Sequence, residues 1–308
     1  MKKISVIVPC YNEEEVLAVC YKRIKDVLLN LQDIEYEIIF GDDGSRDNTL
    51  EIIKDFASNN EEVKYVSLSR NFGKEAIMYA LLKKATGDYV VVIDADLQDP
   101  PELIEQMYEE LEKGEYDCVA TRRADRKGEP KIRSFFAKMF YKIINWFTKL
   151  NIVDGARDFR MMTRQMVNAI LELAEYNRFS KGIFQWVGFK TKWLEFPNTE
   201  RVAGSTKWSF KKLMGYGLDG IVSFTTTPLM LASVLGIILF FVAIVMILVI
   251  VAKTVIYGDT AQGWPSLVCI IFFLNGLQFL CIGILGQYIS KMYMEVKGRP
   301  IYIVKEEK

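Results

Sequence analysis

The 308-residue chain contains no histidine. That removes the side chain that most often serves as an acid-base group near neutrality and as a zinc ligand, so proton transfer and metal binding fall to carboxylates. Cysteine is sparse: Cys10, Cys20, Cys118, Cys269 and Cys281 are odd in number and include no CxxC pair. This argues against a disulfide framework and suits a reducing compartment. Net charge is also absent, 39 Lys and Arg facing 39 Asp and Glu, so no nucleic-acid partner is expected. The first apolar run, in MKKISVIVP, stops at Pro9 and is too short for a leader; it is expected to be a first strand.

Charge is missing locally as well. No charged residue occurs from Gly220 to Ala252 or from Thr260 to Ser290, and each stretch exceeds the roughly 20 residues that span a bilayer as a helix. A buried hairpin of a soluble protein would normally keep a polar stripe, so two transmembrane helices are expected, at about 228–252 and 265–290. Lys207, Lys211 and Lys212 precede the first span, and Lys291, Lys297, Arg299, Lys305 and Lys308 follow the second. The positive-inside rule then puts both termini in the cytoplasm, as a multi-pass protein of the inner (plasma) membrane. The expected division is a cytoplasmic domain over 1–215, a membrane domain over 216–290 and a cytoplasmic tail over 291–308. Neither span carries an acid or base to line an ion path, which disfavours transport. Gly276, Gly283 and Gly286 allow close helix contact, and a homo-oligomer is expected.

Ahead of the spans, strand-like runs (ISVIVP, YEIIFGDDGS, VKYVSLS, YVVVIDAD) alternate with amphipathic helical ones (EEEVLAVCYKRIKDVLLNL, TLEIIKDFAS, EAIMYALLKKA). Regular alternation of this kind predicts an α/β, Rossmann-like, mostly parallel sheet with helices on both faces. Ligands of such sheets bind beyond the carboxyl ends of the strands, where Asp42, Asp43, Asp94 and Asp96 fall. Residues 131–150 stand apart: Ile132, Phe135, Phe136, Met139, Phe140, Ile143, Ile144 and Phe147 make one apolar face, and the charges are all basic. That pattern suits an amphipathic helix lying in a membrane interface, or a helix packed on the sheet.

Strand residues two apart share a face, so Asp94 and Asp96 are expected to present both carboxylates to one point if strand geometry persists. Two anions that close call for a cation, and the hard, oxygen-seeking Mg²⁺ or Mn²⁺ suits them, its shell completed by water and phosphate oxygens. A lone DxD also suits a turn; a second acidic strand end in GDDGSRDNT favours the metal.

VIVPCYNEEE, GDDGSRDNT, SRNFGKEAI, DADLQDPPE and RDFRMMTR, in this order and followed by two apolar spans, resemble the family 2 glycosyltransferases that act on polyprenyl phosphate. The chain is similar to the bactoprenol glucosyltransferases and, more distantly, to the dolichol-phosphate mannose synthases. FQWVGFK does not match the QxxRW of processive relatives such as cellulose synthases. The resemblance implies a GT-A fold and transfer from a nucleotide diphosphate sugar, UDP-linked with glucose favoured, to undecaprenyl phosphate at the cytoplasmic membrane face. It implies nucleotide contacts at Pro9, Tyr11, Glu13, Asp42, Arg70, Lys74, Asp94 and Ala95, with Tyr11 stacking on the base and Asp42 accepting a hydrogen bond from it. It places a metal on Asp94, Asp96 and Gln98 and a catalytic acid-base role on Asp158. The acceptor phosphate falls to Arg122, Arg201, Ser205 and Lys207. Asp158 is open to a second reading, as the N-cap of a helix beginning in FRMMTRQ. Arg157 departs from the small residue usual before that aspartate. Alternative functions are transfer to a diacylglycerol or polysaccharide, or a non-catalytic nucleotide-sugar-binding scaffold.

Overall fold

A computed structural model describes residues 1–124, 145, 153, 155–197, 220–257 and 263–308. They form two compact units, one of residues 1–220 with 299–308 and one of residues 221–298.

In the larger unit β1 (Lys2–Cys10), β2 (Ile34–Asp42), β3 (Val63–Leu68) and β4 (Tyr89–Val92) alternate with α1 (Leu17–Asn30), α2 (Thr49–Asn59) and α3 (Lys74–Lys84). Then come α4 (Leu103–Glu112), β5 (Cys118–Arg123), β6 (Ala156–Thr163), α5 (Arg164–Glu172), α6 (Ser180–Trp186), β7 (Thr191–Phe196) and β8 (Val304–Glu307). The eight strands make one sheet in the order β7-β5-β6-β4-β1-β2-β3-β8. β1 to β4 run parallel, β5 and β7 run with them, and β6 and β8 are antiparallel to their neighbours. The sheet is thus mixed but mostly parallel.

Helical spacing explains one face. Leu17, Cys20, Ile24 and Leu28 of α1, Ile53 and Ala57 of α2, and Ile104, Met107 and Leu111 of α4 cover Ile4, Val6 and Val8 of β1 in a continuous core. α3 lies directly on the opposite face. Gly41 of β2 makes room for it, since a Cβ there would meet Ile77 Cγ1 and Leu81 Cδ1 at 2.7 Å. Tyr79 of α3 donates its hydroxyl to the Leu171 carbonyl of α5 at 3.0 Å.

β8 carries no apolar alternation and reads as tail in the sequence, yet it closes the β3 edge. Ser69 N donates to Ile303 O at 2.9 Å, Lys308 N to Tyr65 O at 3.0 Å, and Lys54 and Lys84 pair with Glu306 and Glu307. An edge strand that would otherwise expose its backbone is thereby covered.

The smaller unit is α7 (Thr227–Tyr257) and α8 (Trp264–Val296). Thr227–Lys253 and Ile270–Val296 are long and apolar enough to cross a membrane, and nothing in either window is buried. A core hairpin of a soluble protein would be covered; here Phe241, Leu248, Phe272 and Phe279 are each at least 60% exposed. Tyr288 donates to Thr225 O at 2.6 Å and Lys291 Nζ to Ser223 Oγ at 3.1 Å, joining the two ends. Gly276, Gly283 and Gly286 face open space. The helix expected over 131–150 lies outside the described residues, apart from Asn145.

Candidate active site

The carboxyl ends of β1, β2 and β4 form one edge. Pro9 lies opposite Gly41 and Cys10 opposite Asp42. The following loop, with Tyr11 and Glu13 half-buried, is stitched to the GDDGSRDNT loop: Asn12 N donates to Ser45 Oγ at 2.9 Å, Arg46 N to Asn12 Oδ1 at 2.8 Å, and Glu13 N to Thr49 Oγ1 at 2.8 Å. Asp42 is buried, accepting from Ser45 N and from Ser67 Oγ, both at 3.0 Å. Asp43 turns the other way and accepts from Phe72 N at 2.7 Å and Gly73 N at 2.9 Å, which sets the entry to α3. Burial pushes its carboxyl up to about 6 against the pull of those two N–H groups. Gly44, at φ 67°, admits no side chain: a Cβ would lie 2.5 Å from the Arg70 carbonyl carbon. Arg70 itself is exposed, its guanidinium 4.0 Å from the centre of the Phe72 ring.

The central feature comes from sheet register. β4 and β6 pair antiparallel with Val92 opposite Arg160, which brings the turn that follows β4 and Asp158 of β6 to the same edge of the sheet. Between them stands Lys74, the first residue of α3, its Nζ 2.8 Å from Asp94 Oδ1 and 2.5 Å from Asp158 Oδ2. Burial opposes the charged ammonium, but Asp158 and Asp94 hold Lys74 above the usual lysine range. Burial likewise works against the Asp158 carboxylate, and Lys74, then Lys181 and Arg160, nonetheless pull it well below the usual range. Lys74, expected at the nucleotide, therefore links the two acids of the site. Asp158 lies on β6 and is no helix cap; the cap of α5 is Thr163, which accepts from Met166 N.

Strand geometry does not persist through DADLQD. β4 ends at Val92, and Leu97 adopts φ 55°, so Asp94 and Asp96 leave the strand on a turn and are not alternate residues of one face. Asp94 is half-exposed towards Lys74; Ala95 is buried; Asp96 is 8% exposed and accepts from Gln98 N at 3.1 Å. The Gln98 side-chain Oε1 accepts from Arg157 Nη2 at 3.3 Å, and Arg157 Nε donates to Asp99 Oδ1 at 2.7 Å. Among the described residues no three His, Cys, Asp or Glu side chains are grouped to hold a metal. The donor set of Asp94 and Asp96 is nevertheless all hard oxygen, which suits a divalent ion completing its shell with water and phosphate oxygens.

The basic residues sort differently from expectation. Arg157 points to the acidic turn. Arg160 is buried beneath the site, over the Phe184 ring at 3.7 Å, donating to the Arg157 carbonyl at 2.9 Å. Arg122 pairs with Glu195 across neighbouring strands. Lys181, which donates to Ala156 O at 3.1 Å, acts on Asp158 together with Lys74 and Arg160. Arg201, Ser205 and Lys207 lie outside the described residues. The roles of Lys181, Asp99 and Arg157 carry no local sequence signal, because each depends on a contact between residues distant in the chain.

The mixed α/β sheet with acids at the carboxyl edge is a GT-A-like fold. A structure of glucosyl-3-phosphoglycerate synthase from Mycobacterium tuberculosis, in complex with Mn²⁺, uridine diphosphate and phosphoglyceric acid, aligns with TM-score 0.51 and 19% identity over 72% of this chain and 76% of that one. The glycosyl transferase family 2 model matches residues 5–171. The chain is 43% identical to the putative glycosyltransferase CsbB of Bacillus subtilis (strain 168), over 98% of this chain and 91% of that protein. It is 41% identical to the prophage bactoprenol glucosyl transferase homolog of Escherichia coli (strain K12) over 99% of each, and 40% identical to the bactoprenol glucosyl transferase of Shigella phage SfX over 99% and 100%. The protein belongs to glycosyl transferase family 2.

Proposed function

We propose that the chain transfers a sugar, with inversion and metal dependence, from a nucleotide diphosphate sugar to undecaprenyl or another polyprenyl phosphate at the cytoplasmic face of the plasma membrane. Glucose is favoured because relatives at about 40% identity are bactoprenol glucosyl transferases, and UDP because the aligned glucosyl-3-phosphoglycerate synthase holds uridine diphosphate. The observation that carries the reading is that Asp158 and Asp94 stand within reach of one ammonium, 2.5 and 2.8 Å away, at the strand edge where GT-A-like folds bind ligands. The apolar pair α7 and α8 supports a lipid acceptor.

Asp94 and Asp96 would hold Mg²⁺ or Mn²⁺, Gln98 being engaged by Arg157. Bound there, the ion supplies Lewis-acid neutralisation of the departing diphosphate. Pro9, Tyr11, Glu13, Asp42, Arg70 and Ala95 line the nucleotide side of the edge. Asp158 is kept ionised by Lys74 and Lys181 and is a weak base. A phosphate monoester with a second pKa of about 6 is already largely dianionic at neutrality, so little proton abstraction is needed. Asp158 accordingly orients the acceptor, and Lys74 and Lys181 offset repulsion between its carboxylate and the phosphate. Arg122, Arg201, Ser205 and Lys207 complete the acceptor side, with both termini cytoplasmic and subunits assembled as a homo-oligomer.

The test is transfer from radiolabelled UDP-glucose to undecaprenyl phosphate in membranes carrying the chain. A lipid product labile to mild acid is expected, abolished by Asp96→Asn or EDTA. Absence of transfer from all common UDP, GDP and dTDP sugars refutes the reading, and an acid-stable product redirects it to a diacylglycerol acceptor.

A further inference from the structure

We propose that Arg157 is a positioning residue for the acidic turn of residues 94–99, acting through Asp99 to fix Asp96; the inference rests on the functional reading above. Arg157 stands on β6 immediately before Asp158, where the resembled family keeps a small residue. Its Nε donates to Asp99 Oδ1 at 2.7 Å and its Nη2 to Gln98 Oε1 at 3.3 Å. One guanidinium thus grips two consecutive residues of the turn.

Asp99 depends on that grip. It is 1% exposed, and its Oδ2 is buried with no hydrogen-bond partner among the described residues. Glu37, the comparably buried acid at the far end of the sheet, shows what full compensation looks like: it accepts from Ser5 Oγ at 2.6 Å and Thr86 N at 2.8 Å and pairs with Lys64 at 2.6 Å and Lys3 at 3.0 Å. Among the described residues the ion pair of Asp99 is with Arg157. An uncompensated buried carboxylate is among the costliest defects a fold can carry, so losing Arg157 forces the segment that carries Asp99 to rearrange.

Rearrangement would reach Asp96 directly. Gln98 N donates to Asp96 Oδ1 at 3.1 Å, and the intervening Leu97 is held at φ 55°. A left-handed leucine persists only where its surroundings over-determine it. Arg157 holds the two residues that follow it, so the turn that aims Asp96 is set from β6, the strand that also carries Asp158. One strand therefore fixes both acids across which the proposed reaction would occur.

The experiment uses the full chain in detergent: wild type, Arg157→Gln, Arg157→Lys and the double variant Arg157→Gln/Asp99→Asn. Two readouts are taken, hydrogen-deuterium exchange of peptides covering 90–102 and Mn²⁺ affinity with UDP by electron paramagnetic resonance. Arg157→Gln is expected to speed exchange at 94–99 by about tenfold while β1 and β2 stay protected. Mn²⁺ affinity is expected to fall by about tenfold, as for loss of a group that orients a ligand. Asp99→Asn in that background should restore both to within about threefold, because the buried charge is gone. Arg157→Lys, which keeps the charge but not the fork, should fall between. Unchanged exchange in Arg157→Gln, no rescue by Asp99→Asn, or loss of protection throughout the sheet each overturns the proposal. Wild type that binds neither Mn²⁺ nor UDP, with the exchange pattern as expected, sinks the functional reading and leaves the clamp standing.

Discussion

Lys74→Met keeps the aliphatic stem of the lysine and removes the charge that Asp94 and Asp158 share. Breaking a fully buried pair costs about 3–5 kcal/mol, because the remaining charge has no partner. Lys74 is 36% exposed and Asp94 27%, so solvent screens part of the loss, and about 2 kcal/mol is expected. In a domain of this size that lowers the unfolding midpoint by about 4–8 °C. The pH dependence carries a sign. The depressed Asp158 carboxyl gives stability that is present above its unfolded value near 3.9 and is lost as pH falls through the lower folded value. The raised Lys74 ammonium gives stability that is present below its unfolded value near 10.4 and is lost as pH rises through the higher folded one. The deficit of the variant should therefore be level from about pH 6 to about pH 9, and shrink in acid as Asp158, without Lys74 beside it, takes up a proton. Thermal unfolding of the detergent-solubilised chain, followed by circular dichroism, measures it. Combining Lys74→Met with Asp158→Asn should recover at least about 1 kcal/mol. A midpoint within about 1 °C of wild type, or strictly additive single effects, refutes the ion-pair account.

Asp43 has its carboxyl raised to about 6, so the folded chain binds more protons than the unfolded one between about pH 4 and about pH 6. Its contribution to stability therefore increases as pH falls from 7 to 4, by up to about 3 kcal/mol at 1.36 kcal/mol per unit. Asp43→Asn should flatten urea midpoints across that range, and a slope equal to wild type would contradict the burial argument. Gly44→Ala forces a side chain into a left-handed position and against the Arg70 backbone at 2.5 Å. A loss of about 2–4 kcal/mol is expected, with UDP binding weakened by the displaced 70–74 loop; isothermal titration and denaturation read the two effects, and wild-type values in both would show the close approach to be unimportant.

Much of the edge was legible because strand and helix periods are local. The four leading strands, the intervening helices, the family, and the acids at the ends of β2 and β4 all follow from patterns a few residues long. The details that failed were those requiring strand to become turn, or contact at long range. DADLQD reads as the end of a strand until the left-handed Leu97 breaks the alternation. Asp158 suits a helix cap until β6 is seen pairing with β4, which no local pattern announces. Lys74 is expected at the nucleotide and Arg157 has no expected partner; in the fold Lys74 pairs with Asp94 and Asp158 and Arg157 with Asp99, acids distant in the chain.

By itself the sequence determined what kinds of chemistry are open. A chain without histidine leaves acid-base chemistry to carboxylates, and its two charge-free stretches carry helices of membrane-spanning length. Only the tertiary structure decided which carboxylates meet. The pairing of β6 with β4 sets Asp158 at the edge that Asp94 occupies, α3 delivers Lys74 between them, and Arg157 pairs with Asp99. The reason is physical: a charge is specified where it stands in the chain, but its partner is chosen by the sheet, because a buried ion stays only where the fold provides a counter-ion.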